Sequence, residues 1–343
     1  MLFKTESSPH IGGAASVSLV MRRVLYALIP GTALYIAYFG WGMLFNIAIA
    51  VIVAVGAEAA MLAARGRPIK PFVTDLSAVV TAWLMALALP SLAPWWLPAL
   101  GSVFAIVLAK HLYGGLGQNP FNPAMVGYVI LLVSFPREMT QWISPEQLRE
   151  AALSLAETAR YVFTGELPAG LAWDSLTMAT PLDTIKTGLN QQMTVEEITA
   201  SPVFGSLAGT GWEWIALLWL AGGIWLLWKR VIQWQVPVAM LGALAAMATV
   251  FYALDPDTYA SPLVHLLSGG SILGAFFIAT DPVSGSTTPR GRILFGAGIG
   301  VFTYIIRAWG GYPDGVAFAV LLMNMAVPVI DYYTQPRVFG HRS

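Results

Sequence analysis

Residues 41–63 read WGMLFNIAIAVIVAVGAEAAMLA, and this stretch decides the class of fold. As a helix it is long enough to cross about 30 Å of hydrocarbon, and it is almost free of charged side chains. A helix that is apolar on every side has no face for water, so it needs lipid or a large core around it. We therefore predict that residues 41–63 span a membrane.

The composition of the whole chain supports an integral membrane protein. Of 343 residues, 57% are hydrophobic and 10% charged, and 18 basic residues balance 18 acidic ones, which gives no argument for binding nucleic acid. Cysteine is absent, which excludes disulfides, Cys-ligated Fe–S clusters, c-type haem and thiol catalysis. The four histidines are scattered, and we predict no metal site. Any redox cofactor must be organic or lie on a partner chain.

Apolar windows predict about ten transmembrane helices in two groups of five. An all-α membrane protein of three parts follows: residues 1–138 and 211–343 are the membrane halves, and residues 139–210 form an insertion between them. The windows lie near residues 24–40, 41–63, 72–92, 95–110, 121–136, 211–228, 233–254, 262–280, 293–310 and 315–332.

Loop charges predict the orientation. If ten spans are counted, 13 of the 18 basic residues lie on one side, which the positive-inside rule assigns to the cytoplasm together with both termini. Residues 139–210 hold eight acidic and three basic residues and fall on the opposite side. We predict a multi-pass protein of the bacterial inner membrane, without an evident cleavable signal peptide, whose insertion lies in the periplasm.

Five spans per half is an odd number, so the second half enters from the opposite side and the halves form inverted repeats. Each half also carries a Gly/Pro/Asn-rich break, residues 114–123 (GGLGQNPFNP) and 280–286 (TDPVSGS). Paired interruptions of this kind are typical of a buried site near the membrane midplane. The break at Asn119 and Asn122 is read either as a helix terminus or as a source of polar contacts for a ligand.

The segment 174–180, DSLTMAT, has two interpretations. Thr180, followed by Pro181 and by Asp183, has the pattern of a helix start with Thr as the N-cap. Pro181 also biases Thr180 towards an extended backbone, which presents the hydroxyl to a modifying enzyme. Two other Ala-Thr pairs, at 248–249 and 279–280, lie within or at the end of hydrophobic windows and have no acidic residue six positions earlier.

This segment resembles the recognition motif of flavin transferases, Asp-x-x-Ser/Thr-Gly-Ala-Thr, which link FMN to threonine through a phosphoester. Asp174, Thr177, Ala179 and Thr180 match it, with Met178 where Gly is usual. Essentially end to end, the chain is similar to the D subunits of Rnf-type (Rsx-type) electron-transport complexes. The similarity is carried by residues 8–10 (SPH), 114–124 (GGLGQNPFNPA) and 306–315 (IRAWGGYPDG). The homologous B subunits of Na+-translocating NADH:quinone reductases usually have a longer N-terminal extension.

The resemblance implies a urea-transporter-like inverted repeat, FMN covalently bound to Thr180, and a noncovalent riboflavin among the helices, with Asn119 and Asn122 as candidate contacts. It implies a flavin-carrying subunit of a ferredoxin:NAD+ oxidoreductase that passes electrons coupled to Na+ or H+ translocation and has no catalysis of its own. The implied partners are other membrane subunits, a second covalent-FMN subunit, Fe–S subunits and the flavin transferase. A passive solute channel of the same fold, or a quinone-reductase B subunit, stays open as an alternative.

Three further polar features have simpler interpretations. Asp75 is expected to cap a helix at the interface, in competition with a role in ion passage. Arg307 is expected to extend to the membrane surface, and His265 to pack between helices. Most of the thirteen tryptophans lie near predicted span ends and are attributed to interfacial aromatic belts.

Overall fold

A computed structural model describes residues 16–149 and 151–335, and within them the secondary structure is helical apart from two isolated β-bridges. The motif at residues 8–10 and the basic residues Lys4, Arg337 and Arg342 lie outside the described residues. The helices of the first half are α1 (Val17–Phe39), α2 (Gly42–Ala64), α3 (Ile69–Val73), α4 (Ser77–Leu87), α5 (Trp96–Val103, continued by a π-helical segment to His111) and α6 (Pro123–Ser134).

The insertion contains short helices, and the second half again contains long ones. In the insertion they are α7 (Pro136–Thr140), α8 (Leu155–Thr164), α9 (Pro181–Asn190) and α10 (Val195–Thr199). In the second half they are α11 (Trp212–Trp228), α12 (Gln235–Leu254), α13 (Pro262–Leu267), α14 (Ser271–Leu273, continued by a π-helical segment to Ile278), α15 (Pro289–Trp309) and α16 (Val316–Thr334).

Every predicted apolar window contains a helix, but the helices differ in length. Among the described residues, five (α1, α2, α12, α15 and α16) are long and apolar enough to cross a membrane, and α4, α5 with its extension, α6 and α11 are shorter apolar helices. The window at 262–280 is broken between α13 and α14. The chain is thus a multi-pass membrane protein, whereas the ten crossings, the inverted repeat and the three-part division stay predictions.

The two Gly/Pro/Asn-rich breaks meet inside the protein. The backbone N–H of Asn122 donates to Asn324 Oδ1 (3.0 Å), and Asn122 Nδ2 donates to the carbonyl of Ile278 (3.1 Å). Asn324 Nδ2 in turn donates to the carbonyl of Ser284 (3.0 Å). All four residues are buried. These bonds, which we call the asparagine junction, join residues of both breaks to α16.

Local chemistry explains where the helices after the breaks begin. The side chain of Asn122 accepts from Met125 N (3.2 Å), and Pro123 occupies the first turn of α6. Thr288 caps α15 in the same way, ahead of Pro289. An oxygen-bearing cap followed by proline satisfies one orphan N–H and removes another.

Small residues allow the long helices to pack closely, as expected where lipid replaces water. A Cβ atom at Gly222 of α11 would overlap the carbonyl of Ala27 in α1. In α15, a Cβ atom at Gly300 would overlap the carbonyl of Met240 in α12. Helix α1, which belongs to the first half, therefore packs directly on α11 of the second half.

The insertion is packed onto both halves rather than suspended from them. Lys186 of α9 donates to the carbonyls of Gly310 and Tyr312 (3.2 Å for Tyr312), and Arg149 donates to the carbonyl of Tyr38 (3.0 Å). Two small apolar clusters lie beneath it, one around Leu182 and the other around Leu176. The loop after α15 thus holds the middle of α9 through Lys186.

The asparagine junction is expected to stabilise the fold. Replacing Asn324 by Ala leaves the Asn122 N–H and the Ser284 carbonyl without partners, at about 1–3 kcal/mol for each buried group. Thermal unfolding of the purified protein in detergent should therefore shift to clearly lower temperature. Asn190→Ala, at an exposed position at the end of α9, should leave it unchanged. Equal melting of the two variants would contradict a structural role for the junction.

Candidate cofactor site: two cavities on either side of the asparagine junction

Thr180 is the N-cap of α9. Its Oγ1 accepts from the backbone N–H of Asp183 (3.3 Å), its backbone is extended (φ −66°, ψ 159°), and Pro181 follows in the first turn. The capping pattern is thereby confirmed. Capping uses an oxygen lone pair and not the hydroxyl proton, so a half-buried Thr180 can cap the helix and carry a substituent on the same oxygen.

The other motif residues do not line the Thr180-bordered cavity between the membrane halves, although Ala179 and Thr180 share a small neighbouring cavity. Asp174 and Ala179 are exposed, and Thr177 is half-buried with its hydroxyl donating to the carbonyl of Trp173 (3.3 Å). The N–H of Met178 donates to the carbonyl of Trp142 (3.0 Å). The segment is therefore extended along residues 142–144 up to the start of α9.

Thr180 lies at the rim of a large apolar cavity, here called the Thr180 cavity. Its volume is about 1000 Å³ including the part open to solvent. Both halves and the insertion contribute to its wall, which is rich in aromatic side chains: Tyr128, Trp142, Trp212, Trp219 and Tyr312. Flat heteroaromatic rings stack favourably on such walls, so the cavity fits a flavin ring.

Some of these tryptophans are interior residues, and the belt interpretation was wrong for them. Trp219 is 3% exposed, and its ring stacks with Tyr35 at a centroid distance of 6.4 Å. Trp212 contacts Phe39 (4.6 Å) and Trp142 (5.6 Å). These five side chains form a continuous aromatic cluster between α1, α11 and the insertion.

Arg307 does not extend to the surface, because it is buried in an ion pair beside the Thr180 cavity. Its Nη2 lies 2.9 Å from Asp314 Oδ1, and its Nη1 donates to the carbonyl of His265 (2.6 Å). Asp314 lines the cavity and accepts from the N–H of Gly270 (2.6 Å). Burial by itself raises the pKa of Asp314, but the charge of Arg307 and the N–H donors outweigh it and hold that pKa below its ordinary value.

A second cavity, the Lys110 cavity, lies beyond the other end of α4. Ser77, Val80, Thr81 and Leu84 line it, whereas the Thr180 cavity is lined by Leu87 and Ala88 from the last turn of the same helix and from its C-cap. Its volume is about 820 Å³ including the open part. The asparagine junction forms part of the wall between the two cavities, because Asn122 lines the Lys110 cavity and its partner Ile278 lines the Thr180 cavity.

The structure places both predicted asparagines on the wall of the Lys110 cavity, in different states. Asn122 uses its amide nitrogen and its side-chain oxygen within the protein, on Ile278 and Met125. Asn119 uses its Nδ2 on the carbonyl of Phe121 (3.0 Å), and its Oδ1 has no donor among the described residues. Asn119 can thus offer an acceptor to a ligand, while Asn122 maintains the junction.

The sequence interpretation missed a buried charged cluster beside this cavity. Lys110, counted there as a loop charge, is 2% exposed, and its Nζ donates to Glu58 Oε1 (2.5 Å) and to Ser77 Oγ (2.7 Å). His111 Nε2 lies 3.5 Å from the same Glu58 oxygen. Asp75 lies one residue before Leu76, the N-cap of α4, and accepts from the backbone N–H of Ser77 (2.7 Å). It therefore bonds to the start of the helix, as expected, without being the N-cap residue itself.

A signal for this cluster was present in the sequence. Glu58 is the single charged residue in the 23-residue stretch 41–63, and an isolated ionisable side chain within a membrane helix requires a partner. The described residues include no group of three or more His, Asp or Glu side chains placed to hold a metal ion. The chemistry that the walls offer is therefore stacking, hydrogen bonding and the charges of Lys110, Asp281 and Asp314.

Together these features define a multi-pass membrane protein with two ligand-sized cavities among its helices. Residues 4–340 match the NQR2, RnfD, RnfE family, and the chain belongs to that family. The D subunit of the ion-translocating oxidoreductase complex of Escherichia fergusonii is 52% identical over 350 residues, covering 100% of this chain and 99% of the relative. The corresponding D subunits of Citrobacter koseri (51%, 100% of both chains) and Salmonella typhimurium (50%, 100% of this chain and 99% of the relative) are similarly close.

The ion pair beside the Thr180 cavity should contribute strongly to stability. Replacing Arg307 by Met leaves the half-buried carboxylate of Asp314 (side chain 28% exposed) without its partner, and we expect a loss of about 1–3 kcal/mol. Combining it with Asp314→Asn should recover part of that loss, because the amide keeps an acceptor for the N–H of Gly270. Because the pKa of Asp314 is lowered in the folded state, the pair should stabilise the protein above the ordinary Asp pKa of about 3.9. That contribution disappears as the pH falls through the lower, folded value.

A double-mutant cycle followed by thermal unfolding at neutral pH and in acid tests both statements. Additive effects of the two substitutions, or a pair contribution that does not decline in acid, would contradict them.

Proposed function

We propose that the chain is the flavin-carrying D subunit of an Rnf-type ferredoxin:NAD+ oxidoreductase and that FMN is bound to Thr180 through a phosphoester. The observation that carries the proposal is the position of Thr180, at the rim of an aromatic-walled cavity between the two membrane halves. The full-length relatives, which are named as D subunits of an ion-translocating oxidoreductase complex, support the assignment.

The surroundings of Thr180 suit a phosphate. The N-terminus of a helix offers unpaired N–H groups and a positive dipole end to an anion, and Thr180 is the cap of the ten-residue helix α9. Asp183 lies close by, and burial raises its pKa despite the opposing charge of Lys186.

A covalent bond would keep a flavin at an open rim from diffusing away. When bound, the flavin supplies the electron chemistry, and the protein positions it. Thr180 would hold the phosphate, and the aromatic walls would orient the ring. The Arg307–Asp314 pair would present a fixed charge distribution to one side of the cavity.

For the Lys110 cavity we propose a noncovalent riboflavin. Its walls are largely apolar, with polar side chains confined to a few positions, including Asn119, Thr81 and Thr280, as is usual for cofactor sites. Asn119 has a free acceptor there, whereas Asn122 would act by maintaining the wall. Two flavins on either side of the asparagine junction would give electrons a route through the membrane.

The wider proposal concerns the complex. Soluble donors would react on Fe–S subunits, electrons would pass a second covalent-FMN subunit and this chain, and transfer would drive Na+ or H+ across the bacterial inner membrane. Both termini would face the cytoplasm, and residues 139–210 would face the periplasm, where the flavin transferase acts. A quinone-reductase B subunit, the first rival assignment, would co-purify with a different set of subunits. A passive channel, the second, would contain no flavin.

Covalent flavin can be detected directly. The wild-type chain, expressed with a flavin transferase and denatured on a gel, should give a fluorescent band, and Thr180→Ala should give a dark one because no ester oxygen is left. Thr187→Ala is the matched control, since Thr187 lies exposed on the same helix α9, and should stay fluorescent. A dark wild-type band, or a fluorescent Thr180→Ala band, would refute attachment at Thr180.

Ion transport provides a separate test. We expect changes in flavin charge to bias movement between the two membrane halves, so membrane vesicles containing the complex with Thr180→Ala should lose both electron transfer and the cation flux that depends on it. Unchanged flux with Thr180→Ala would exclude a role of this flavin in coupling.

A further inference from the structure

The Glu58–Lys110 ion pair is the charged element of the Lys110 cavity that the proposed function leaves without a role. Glu58 and Lys110 are each 2% exposed. Lys110 nevertheless lines the cavity. Removing a charge from water in this way is expensive. The pair is therefore worth examining as part of the binding site.

Lys110 is the charged hydrogen-bond donor among the described residues that line the cavity. The hydroxyl of Thr81 donates to the carbonyl of Ser77 (2.9 Å), and that of Thr280 to the carbonyl of Phe276 (2.7 Å). The side-chain amides of Asn119 and Asn122 are neutral, and each uses one of its two N–H donors on a backbone carbonyl (3.0 and 3.1 Å). An ammonium group has three N–H donors, and Lys110 uses two of them, on Glu58 and Ser77.

The third N–H of Lys110 has no acceptor among the described residues, and it belongs to a group on the cavity wall. A ligand that fills this cavity therefore meets one strong donor. That donor matches a carbonyl oxygen or a ring nitrogen, such as those along the polar edge of an isoalloxazine ring.

The charges around the cavity do not favour an anion. Lys110 is the basic side chain among the described lining residues, and its charge is matched by Glu58 at 2.5 Å. Asp281 also lines the cavity, and Asp75 accepts from Ser77 Oγ (2.5 Å), which itself accepts from Lys110. A phosphate brings a charge of about −1.5 to −2, and the described residues that line the cavity offer it no unmatched positive charge.

We propose that the Glu58–Lys110 pair sets the ligand preference of this cavity: Lys110 donates to the polar edge of a flavin ring, and Glu58 neutralises Lys110 so that uncharged riboflavin is preferred over FMN. This inference rests on the proposed riboflavin site. It adds the specificity-determining residues and the reason why the two cavities would hold different flavins.

The test is flavin titration of the full-length chain carrying Thr180→Ala, which removes covalent FMN from the signal. After bound flavin has been removed, quenching of flavin fluorescence gives the affinities for riboflavin and for FMN. The parent should bind riboflavin more tightly. Glu58→Gln leaves the charge of Lys110 unmatched and should shift the riboflavin-to-FMN affinity ratio towards FMN by about tenfold or more.

Lys110→Met should weaken riboflavin binding about tenfold to hundredfold, as expected for loss of a hydrogen bond from a charged donor. Because that variant leaves Glu58 buried and unpaired, the double variant Glu58→Gln/Lys110→Met removes both charges and the Lys110 donor together, without leaving a buried charge unpaired. This double variant should show the same loss of riboflavin affinity without any gain in FMN affinity. Glu213→Gln is the matched control, a carboxylate also buried (4% exposed) but bonded to Leu207 and Ala208 in the insertion.

The outcomes separate the inference from the function on which it rests. An unchanged affinity ratio in Glu58→Gln, or a parent that binds FMN as tightly as riboflavin, overturns the charge argument. Riboflavin affinity that survives Lys110→Met overturns the donor role. A parent that binds neither flavin removes the riboflavin site and this inference with it, while a fluorescent wild-type band on the denaturing gel would still support FMN on Thr180.

Discussion

The asparagine junction is the constraint on which the rest of the structure depends. Backbone that leaves helical geometry inside a membrane protein finds no hydrogen-bond partner in lipid, so a broken segment persists only where side chains supply one. Asn122 and Asn324 do so across sequence separations of 40 residues or more, bonding to Ile278, to Ser284 and to each other. Their bonds bring both breaks to one place, and the two cavities lie on either side of that place.

Buried charged side chains also need a partner within the protein. Glu58 and Lys110 pair where both side chains are 2% exposed, and the buried Arg307 pairs with the half-buried Asp314. In both pairs an unpaired buried charge would be costly. Sequence interpretation assigned Lys110 to a loop and Arg307 to the membrane surface, because a basic residue near a span end usually reaches water. Only the tertiary structure shows that a carboxylate on a neighbouring helix or loop lies closer to each basic group than solvent does.

How much of the candidate site the sequence could predict depended on the range of the interaction. The capping of α9 by Thr180 and of α6 by Asn122 involves bonds to residues three positions away, and local patterns predict such bonds well. The aromatic walls could not be predicted in this way. Trp219 contacts Tyr35, which lies in α1, and a tryptophan in an apolar helix looks the same in sequence whether it faces lipid or a cavity.

The sequence by itself determined that this is a helical membrane protein of the NQR2, RnfD, RnfE family, where its helices lie, and which threonine has flavin-attachment flanks. These properties follow from composition, periodicity and contiguous motifs. The tertiary structure decided that Thr180 borders a cavity and that Glu58 neutralises Lys110. It also decided that Asn122 maintains a junction, while Asn119 Oδ1 accepts from no donor in the part of the chain that the structure describes. Such features depend on which side chains meet across helices, and hydropathy does not encode that.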